Sequence, residues 1–285
     1  MSTLSEYRDR PHWSFSALNQ FLNICSLQYA FQRIIRLPQA FTSVNLSFGS
    51  AFHRCLEWIQ LTRKDGQSVK REEAADLFQT LWLRQIKEDR LIRFDDDQNA
   101  DDISRQGRDM IACLVDRLDP EEEVVSISEA FAVPLVDQWG ESLETPMIGE
   151  IDTVVQKAGR KTLVDWKTSG ARWSKQKPHM DLQPTVFLYG FLHTHGETPD
   201  FRFDVVVKNK TPVLESHITT RTQDQFDRMV CLVKRAESMI AAEHWMPSEQ
   251  SFYCAGCGYQ EACRGWHRQQ NRTISIGGND VRKAA

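Results

Sequence analysis

An aspartate and a lysine stand two positions apart in the short apolar run "TLVDWKTSG" (162–170). Alternate residues of a strand share a face, so Leu163, Asp165 and Lys167 point one way while Val164, Trp166 and Thr168 point the other. The apolar stretch "MIGEIDTVV" precedes this run and is joined to it by the polar turn "QKAGRK". Hairpin pairing of the two would bring Asp152 toward Asp165, with Glu150, Asp152 and Val154 on one face. Two carboxylates drawn together beside a lysine in an apolar sheet repel each other and are poorly solvated. A divalent cation of the hard, oxygen-seeking kind, Mg2+ or Mn2+, relieves both penalties. A simple ion pair between Asp165 and Lys167 explains the D-x-K spacing equally well.

A second cluster lies near the other end of the chain. "CAGCGYQEAC" places Cys254, Cys257 and Cys263 in a C-x2-C-x5-C array rich in turn residues. Seven cysteines are an odd count for a disulfide framework, and thiolates this close in a reducing compartment are more often metal ligands. Three such ligands want a fourth. Cys55, Cys113 and Cys231 fall on helical patterns and read as buried free thiols.

Between residues 157 and 177 seven basic side chains (Lys157, Arg160, Lys161, Lys167, Arg172, Lys175, Lys177) face one acid, Asp165. The whole chain carries a net charge of −4, which argues against a uniformly basic nucleic-acid coat and leaves a local basic face open. The acidic cluster Asp95, Asp96, Asp97, Asp101 and Asp102 reads as a solvated connection.

These groups need elements to hold them. Ser14 or Ser16 caps a helix whose Leu18, Phe21, Leu22 and Cys25 share one face, which turns Cys25 inward. Phe52, Cys55, Leu56 and Ile59 define a second helix from about Ser50, with His53 at the margin of its apolar stripe. Residues 69–93, with Leu77, Leu81 and Trp82, and residues 101–118 are two more helical patterns. From about residue 124 the period becomes that of strands, interrupted by a helix at 181–194 and followed by a long helix at 222–243. No stretch approaches the roughly twenty apolar residues of a membrane span, and "MSTLSEYRDR" lacks a signal-peptide core. The expectation is a soluble, cytoplasmic protein with no membrane partner.

The order of the chemical groups carries a resemblance: His53 after "SFGSA", Asp152 in "GEID", Asp165 and Lys167 in D-x-K, then Gln183 at a helix start. The chain resembles the PD-(D/E)XK nucleases of the RecB and AddB type, a group that includes RecB-like nucleases of CRISPR adaptation. The resemblance runs from "SFSALNQFLNICSLQYAF" to "CAGCGYQEAC". It implies an α/β fold with a mixed central sheet flanked by helices. It also implies a helical region at 1–120, a nuclease core at 121–245, an iron–sulfur segment at 246–268 and a mobile tail at 269–285.

By the same resemblance His53, Asp152, Asp165 and the Trp166 backbone carbonyl bind Mg2+ or Mn2+, and Lys167 orients or deprotonates the attacking water. The following helix matches the family's Q-x-x-x-Y signature at Gln183 but carries Phe187 in place of the tyrosine, with Tyr189 two residues on. Cys25 stands where such enzymes carry the first cysteine of a [4Fe-4S] cluster, completed by Cys254, Cys257 and Cys263. Zinc is the structural alternative, since four thiolates suit either metal, and His267 could replace Cys25 as a zinc ligand. The implied substrate is DNA, as single strands or duplex ends, with Arg172, Lys175 and Lys177 as a phosphate-holding rim. A non-cleaving nucleic-acid-binding subunit is the rival reading. No G-x-x-x-x-G-K-[ST] motif is present, so any helicase partner, or a CRISPR or repair protein, is a separate chain.

Overall fold

The computed structural model describes residues 3–89, 91–95, 98–249 and 251–272. Its central sheet has six strands: β1 (Trp13–Ser14), β2 (Glu123–Val133), β3 (Met147–Lys157), β4 (Arg160–Ser169), β5 (Asp200–Val207) and β6 (Val213–Thr219). The order is β1-β3-β4-β5-β6, with β2 also paired to β3. The β2–β3, β3–β4 and β5–β6 pairs are antiparallel, whereas β1–β3 and β4–β5 are parallel, so the sheet is mixed. β3 and β4 meet in a two-residue turn at Ala158 (φ 50°) and Gly159 (φ 78°). Two consecutive positive φ values match the twist of a tight hairpin.

The longer helices are α1 (Val44–Lys64), α2 (Arg71–Glu88), α3 (Ala100–Val115), α4 (Gln183–His195), α5 (Gln223–Ala241) and α6 (Gln260–Arg272), of which the first five cover the sheet and α6 packs beside Leu27 and Phe31. Strand alternation divides the core into two layers. On β5, Phe201, Phe203, Val205 and Val207 pack with α4 and α5, while Val206 turns toward α1, α2 and α3. On β4, Leu163 joins the first layer and Val164 and Trp166 the second. α4 connects the parallel strands β4 and β5, and it seats closely because Gly149 and Gly190 both leave room for the Phe131 ring.

Some details depart from the pattern reading. α1 starts at Val44 rather than near Ser50, and α2 buries Ala74, Phe78 and Trp82, leaving Leu77 and Leu81 partly buried. Ser14 does cap the first turn, accepting from the Ala17 amide. The helix then widens over 20–24 and breaks at Cys25, whose extended backbone caps the next short helix, Ser26–Tyr29. Cys25 is therefore half-buried at a break rather than on a continuous inward face. Asp101 and Asp102 occupy the first turn of α3, where the helix dipole favours acids, and Asp96 and Asp97 lie outside the described residues. α6 extends through Arg272, and the rest of the tail expected at 269–285 lies outside the described residues. Among the described residues no helix is long and apolar enough to cross a membrane.

Candidate active site

The β3–β4 ladder ends at Thr153 opposite Val164, one step short of Asp152 and Asp165. Beyond that point the strands no longer bond each other, and side chains take over their polar groups. Asp152 Oδ2 accepts from the Trp166 amide at 3.3 Å and lies 3.4 Å from His53 Nδ1 on α1. N–H and C=O of one strand residue point the same way, so the Trp166 carbonyl also faces this opening. Across from Asp152, Ser128 of β2 has φ 49°, a kink that locally disturbs the strand. Val154 packs in the α4/α5 layer while Asp152 lines a cleft with His53, so the expected shared face of Asp152 and Val154 is not present. The cleft holds about 330 Å³ and is bounded also by Ser50, Glu57, Ser128 and Glu150.

Asp165 is buried. Its Oδ1 accepts from the Gln183 side-chain amide at the start of α4, and its Oδ2 lies 2.6 Å from Lys167 Nζ. That contact is a charge-assisted ion pair between the ammonium and the carboxylate. Burial pushes the Asp165 carboxyl up to about 6, with Lys167 pulling it down and Asp152 raising it further. Burial acts to lower the Lys167 ammonium, but Asp165 and Asp152 outweigh it and the net direction is upward. A buried carboxylate close enough to a second carboxylate to be raised by it fits a site made for a cation. In their present positions no three His, Cys, Asp or Glu side chains form a metal-holding group among the described residues.

Glu150 lines the same cleft, half-buried, and makes no ion pair among the described residues. Burial raises its carboxyl, which Arg8 lowers and Glu57 raises. Phe187 packs its ring on Phe131 and Phe201, so it brings no hydroxyl to the site. Tyr189 does not replace that hydroxyl: it is buried, donates to the Pro134 carbonyl at 2.9 Å and accepts from the Val136 amide at 3.0 Å.

The PD-(D/E)XK nuclease superfamily model matches residues 12–264, nearly the whole chain and every residue of this site. The chain belongs to the PD-(D/E)XK nuclease superfamily. A crystal structure from Eubacterium rectale, of a protein named provisionally as an exonuclease, superposes with a TM-score of 0.56 at 16% identity. That match covers 88% of this chain and 90% of the other. A second solved structure, that of SSO0001, covers 92% of each chain at 9% identity, with a TM-score of 0.40. No curated protein matches by sequence.

On this PD-(D/E)XK nuclease core four cysteines from the two sequence ends face a common cleft. Cys25, Cys254, Cys257 and Cys263 all line one cleft of about 290 Å³, and all are free thiols. Burial raises the Cys263 thiol, and Cys25, Glu249, Cys257 and Cys254 add to the effect. The donor set suits a thiolate-held metal centre, although the thiols stand apart as placed. His267 lines the same cleft and pairs with Glu249 at 2.9 Å. Of the other cysteines Cys55 is buried, Cys113 is half-buried, and Cys231 is exposed rather than buried as its helical spacing implied.

The basic run is less free than its composition. Lys157 pairs with Asp119 and Glu121, Lys161 with Glu197, and Arg172 with Glu215. Lys175 is exposed, and Lys177 Nζ stands 4.4 Å from the centre of the Trp173 ring. Sequence reasoning passed over Ser128 as a cleft residue, because a serine within a strand is a weak signal.

Proposed function

We propose that the protein is a Mg2+- or Mn2+-dependent deoxyribonuclease of the RecB/AddB type, acting as an exonuclease on single strands or strand ends, with a structural [4Fe-4S] cluster. The observation that carries this reading is Asp165: a buried carboxylate with one oxygen held by Gln183, the other ion-paired to Lys167, and Asp152 close enough to raise its pKa. His53, Asp152, Asp165 and the Trp166 carbonyl would hold the ion. When bound, the ion would lower the pKa of a water and stabilise the charge that builds on the scissile phosphate.

The chain's own residues do the rest. Gln183 fixes the Asp165 carboxylate, His53 and the Trp166 amide fix Asp152, and Lys167 keeps a protonated amine beside the reacting phosphate. Arg172, Lys175 and Lys177 follow the strand that carries Asp165 and hold the DNA backbone. Cys25, Cys254, Cys257 and Cys263 carry the cluster and tie the two sequence ends together. The protein works in the cytoplasm, and a helicase, CRISPR or repair protein in a separate chain supplies the ends it degrades. Phe187 favours one second reading, a nucleic-acid-binding subunit that has lost cleavage, because the family tyrosine's hydroxyl has no substitute here.

End-labelled single- and double-stranded DNA, incubated with anaerobically purified protein and Mn2+ or Mg2+, separates the two. Cleavage is expected to fall about a hundred- to a thousandfold in Asp165→Ala and in Lys167→Ala, with the fold retained. Binding without cleavage in the wild type would establish the second reading.

A further inference from the structure

Arg221 lies in the turn between β6 and α5, in the polar stretch "TTRTQ", and is only 9% exposed. All five of its N–H donors are used. Nε donates to Thr185 Oγ1 at 2.9 Å, and Nη1 donates to Thr219 Oγ1 at 2.6 Å and to the Thr220 carbonyl at 2.8 Å. Nη2 donates to the Pro178 carbonyl at 2.9 Å and the Asp181 carbonyl at 2.7 Å. Every acceptor is a neutral oxygen, and the guanidinium has no salt-bridge partner among the described residues. A buried cation with no direct ion pair is expensive, even with the Asp181 carboxylate near enough to offset part of the burial, so its placement calls for a reason beyond filling space.

Three of the five acceptors belong to one segment. Pro178 lies in the first turn of the short helix Lys177–Met180, Asp181 caps its C-terminal end, and Thr185 stands in the first turn of α4. Gln183 sits between Asp181 and Thr185, two residues from each, and its own amide donates to Asp181 Oδ1 at 2.9 Å. Its side chain reaches back to Asp165 Oδ1. Arg221 thus grips the backbone and side chain on both sides of the one residue that orients the Asp165 carboxylate. We propose that Arg221 is a positioning residue: by clamping 178–185 against the end of β6 it holds the Gln183 amide on Asp165. The consequence for catalysis rests on the nuclease reading above; the consequence for Gln183 does not.

Lysine at this position keeps the charge and loses the fork that reaches three parts of the segment at once. Four proteins decide the matter: wild type, Arg221→Lys, Gln183→Ala and the double variant. The first readout uses metal-free protein. In 1H–15N spectra the side-chain amide signal that disappears in Gln183→Ala is expected to shift toward the free-glutamine position in Arg221→Lys, while the other glutamine signals stay. An unmoved signal in folded Arg221→Lys overturns the proposal.

The second readout is Mn2+-dependent cleavage. Arg221→Lys is expected to lower kcat about tenfold with little change in KM, and to have no further effect in the Gln183→Ala background. Full additivity of the two losses would show that Arg221 acts only as a brace for α5 and its neighbours. Urea midpoints of all four proteins separate that general loss of stability from the coupling. If the wild type cleaves no DNA the nuclease reading falls, and the amide signal alone supports or overturns the clamp.

Discussion

Asp165 and Lys167 sit two apart on one strand face, and their side chains meet as that spacing requires, with Nζ 2.6 Å from Oδ2. What spacing did not convey is the part played by neighbours. Asp152 bonds the Trp166 amide and contacts His53 because the β3–β4 ladder stops one residue pair short of it. A second polar cluster lies on the other side of Trp166: Arg202 pairs with Glu122 and Asp204, and the Ser216 hydroxyl donates to Asp204. Burial raises the Asp204 carboxyl above its ordinary value of 3.8, against the lowering pull of Arg202 and Ser216. The folded protein therefore holds that proton more tightly than the unfolded chain. The group contributes stability that is fully present below 3.8 and is lost as pH rises through the folded-state pKa. Asp204→Asn has no such titration. Urea unfolding across the acidic range should show wild type losing stability relative to Asp204→Asn as pH rises, and a constant difference would count against the raised pKa. On the basic rim, Lys175→Ala with Lys177→Ala should flatten the slope of log K against log salt by about 1.4 for single-stranded DNA, the share of two phosphate contacts. An unchanged slope in a binding titration would return both lysines to solvent.

At the scale of elements, α4 carries Gln183 to Asp165 only because it lies close on the sheet. The Phe131 ring fills the space that a Cβ at either Gly149 or Gly190 would need, at 2.5 Å and 2.4 Å respectively. Gly190→Ala is expected to cost about 1–3 kcal/mol, as overpacking of a well-filled core does. In a Phe131→Ala background the same change should cost much less, because the added methyl then occupies vacated space. Urea unfolding of the two single variants and the double variant measures this, and equal losses in both backgrounds would place the strain elsewhere. The hairpin and helix positions were legible in the period of the apolar residues, since strands and helices repeat at 2 and 3.6. The break at Cys25 was not: "FLNICSLQYAF" keeps a helical pattern on both sides of it, and only the widened turn at 20–24 reorients the thiol.

Over the whole molecule, the two ends of the chain are joined before any metal is considered. The Ser26 hydroxyl bonds the Met246 backbone, the Tyr259 hydroxyl donates to the Leu37 carbonyl, and the Ala40 amide bonds the Gly258 carbonyl. A cluster on Cys25, Cys254, Cys257 and Cys263 would strengthen an existing contact rather than create one. Anaerobically purified protein should be brown, with broad visible absorption and about four irons per chain. Cys25→Ser and Cys257→Ser should lose the colour to the same extent, and Cys231→Ser should keep it. Loss of the cluster should increase protease cutting near both ends together while the core around β3–β5 stays protected. A colourless protein with one zinc would remove the cluster and leave the join.

Residue types and their order were enough to point to the PD-(D/E)XK nuclease superfamily and the α/β architecture, and to single out the acids and the lysine carried on the central strands. They were enough because D-x-K on a strand and cysteines at short spacing are local facts, and local geometry follows from the backbone period. Only the tertiary structure decided which of those groups meet. Asp152 reaches His53 through the end of a ladder, Gln183 reaches Asp165 through the seating of α4 on Phe131, and Arg221 reaches 178–185 from a turn that follows β6. Each depends on contacts between residues far apart in the chain. Their separation is set by how the layers pack, which no spacing along the sequence records.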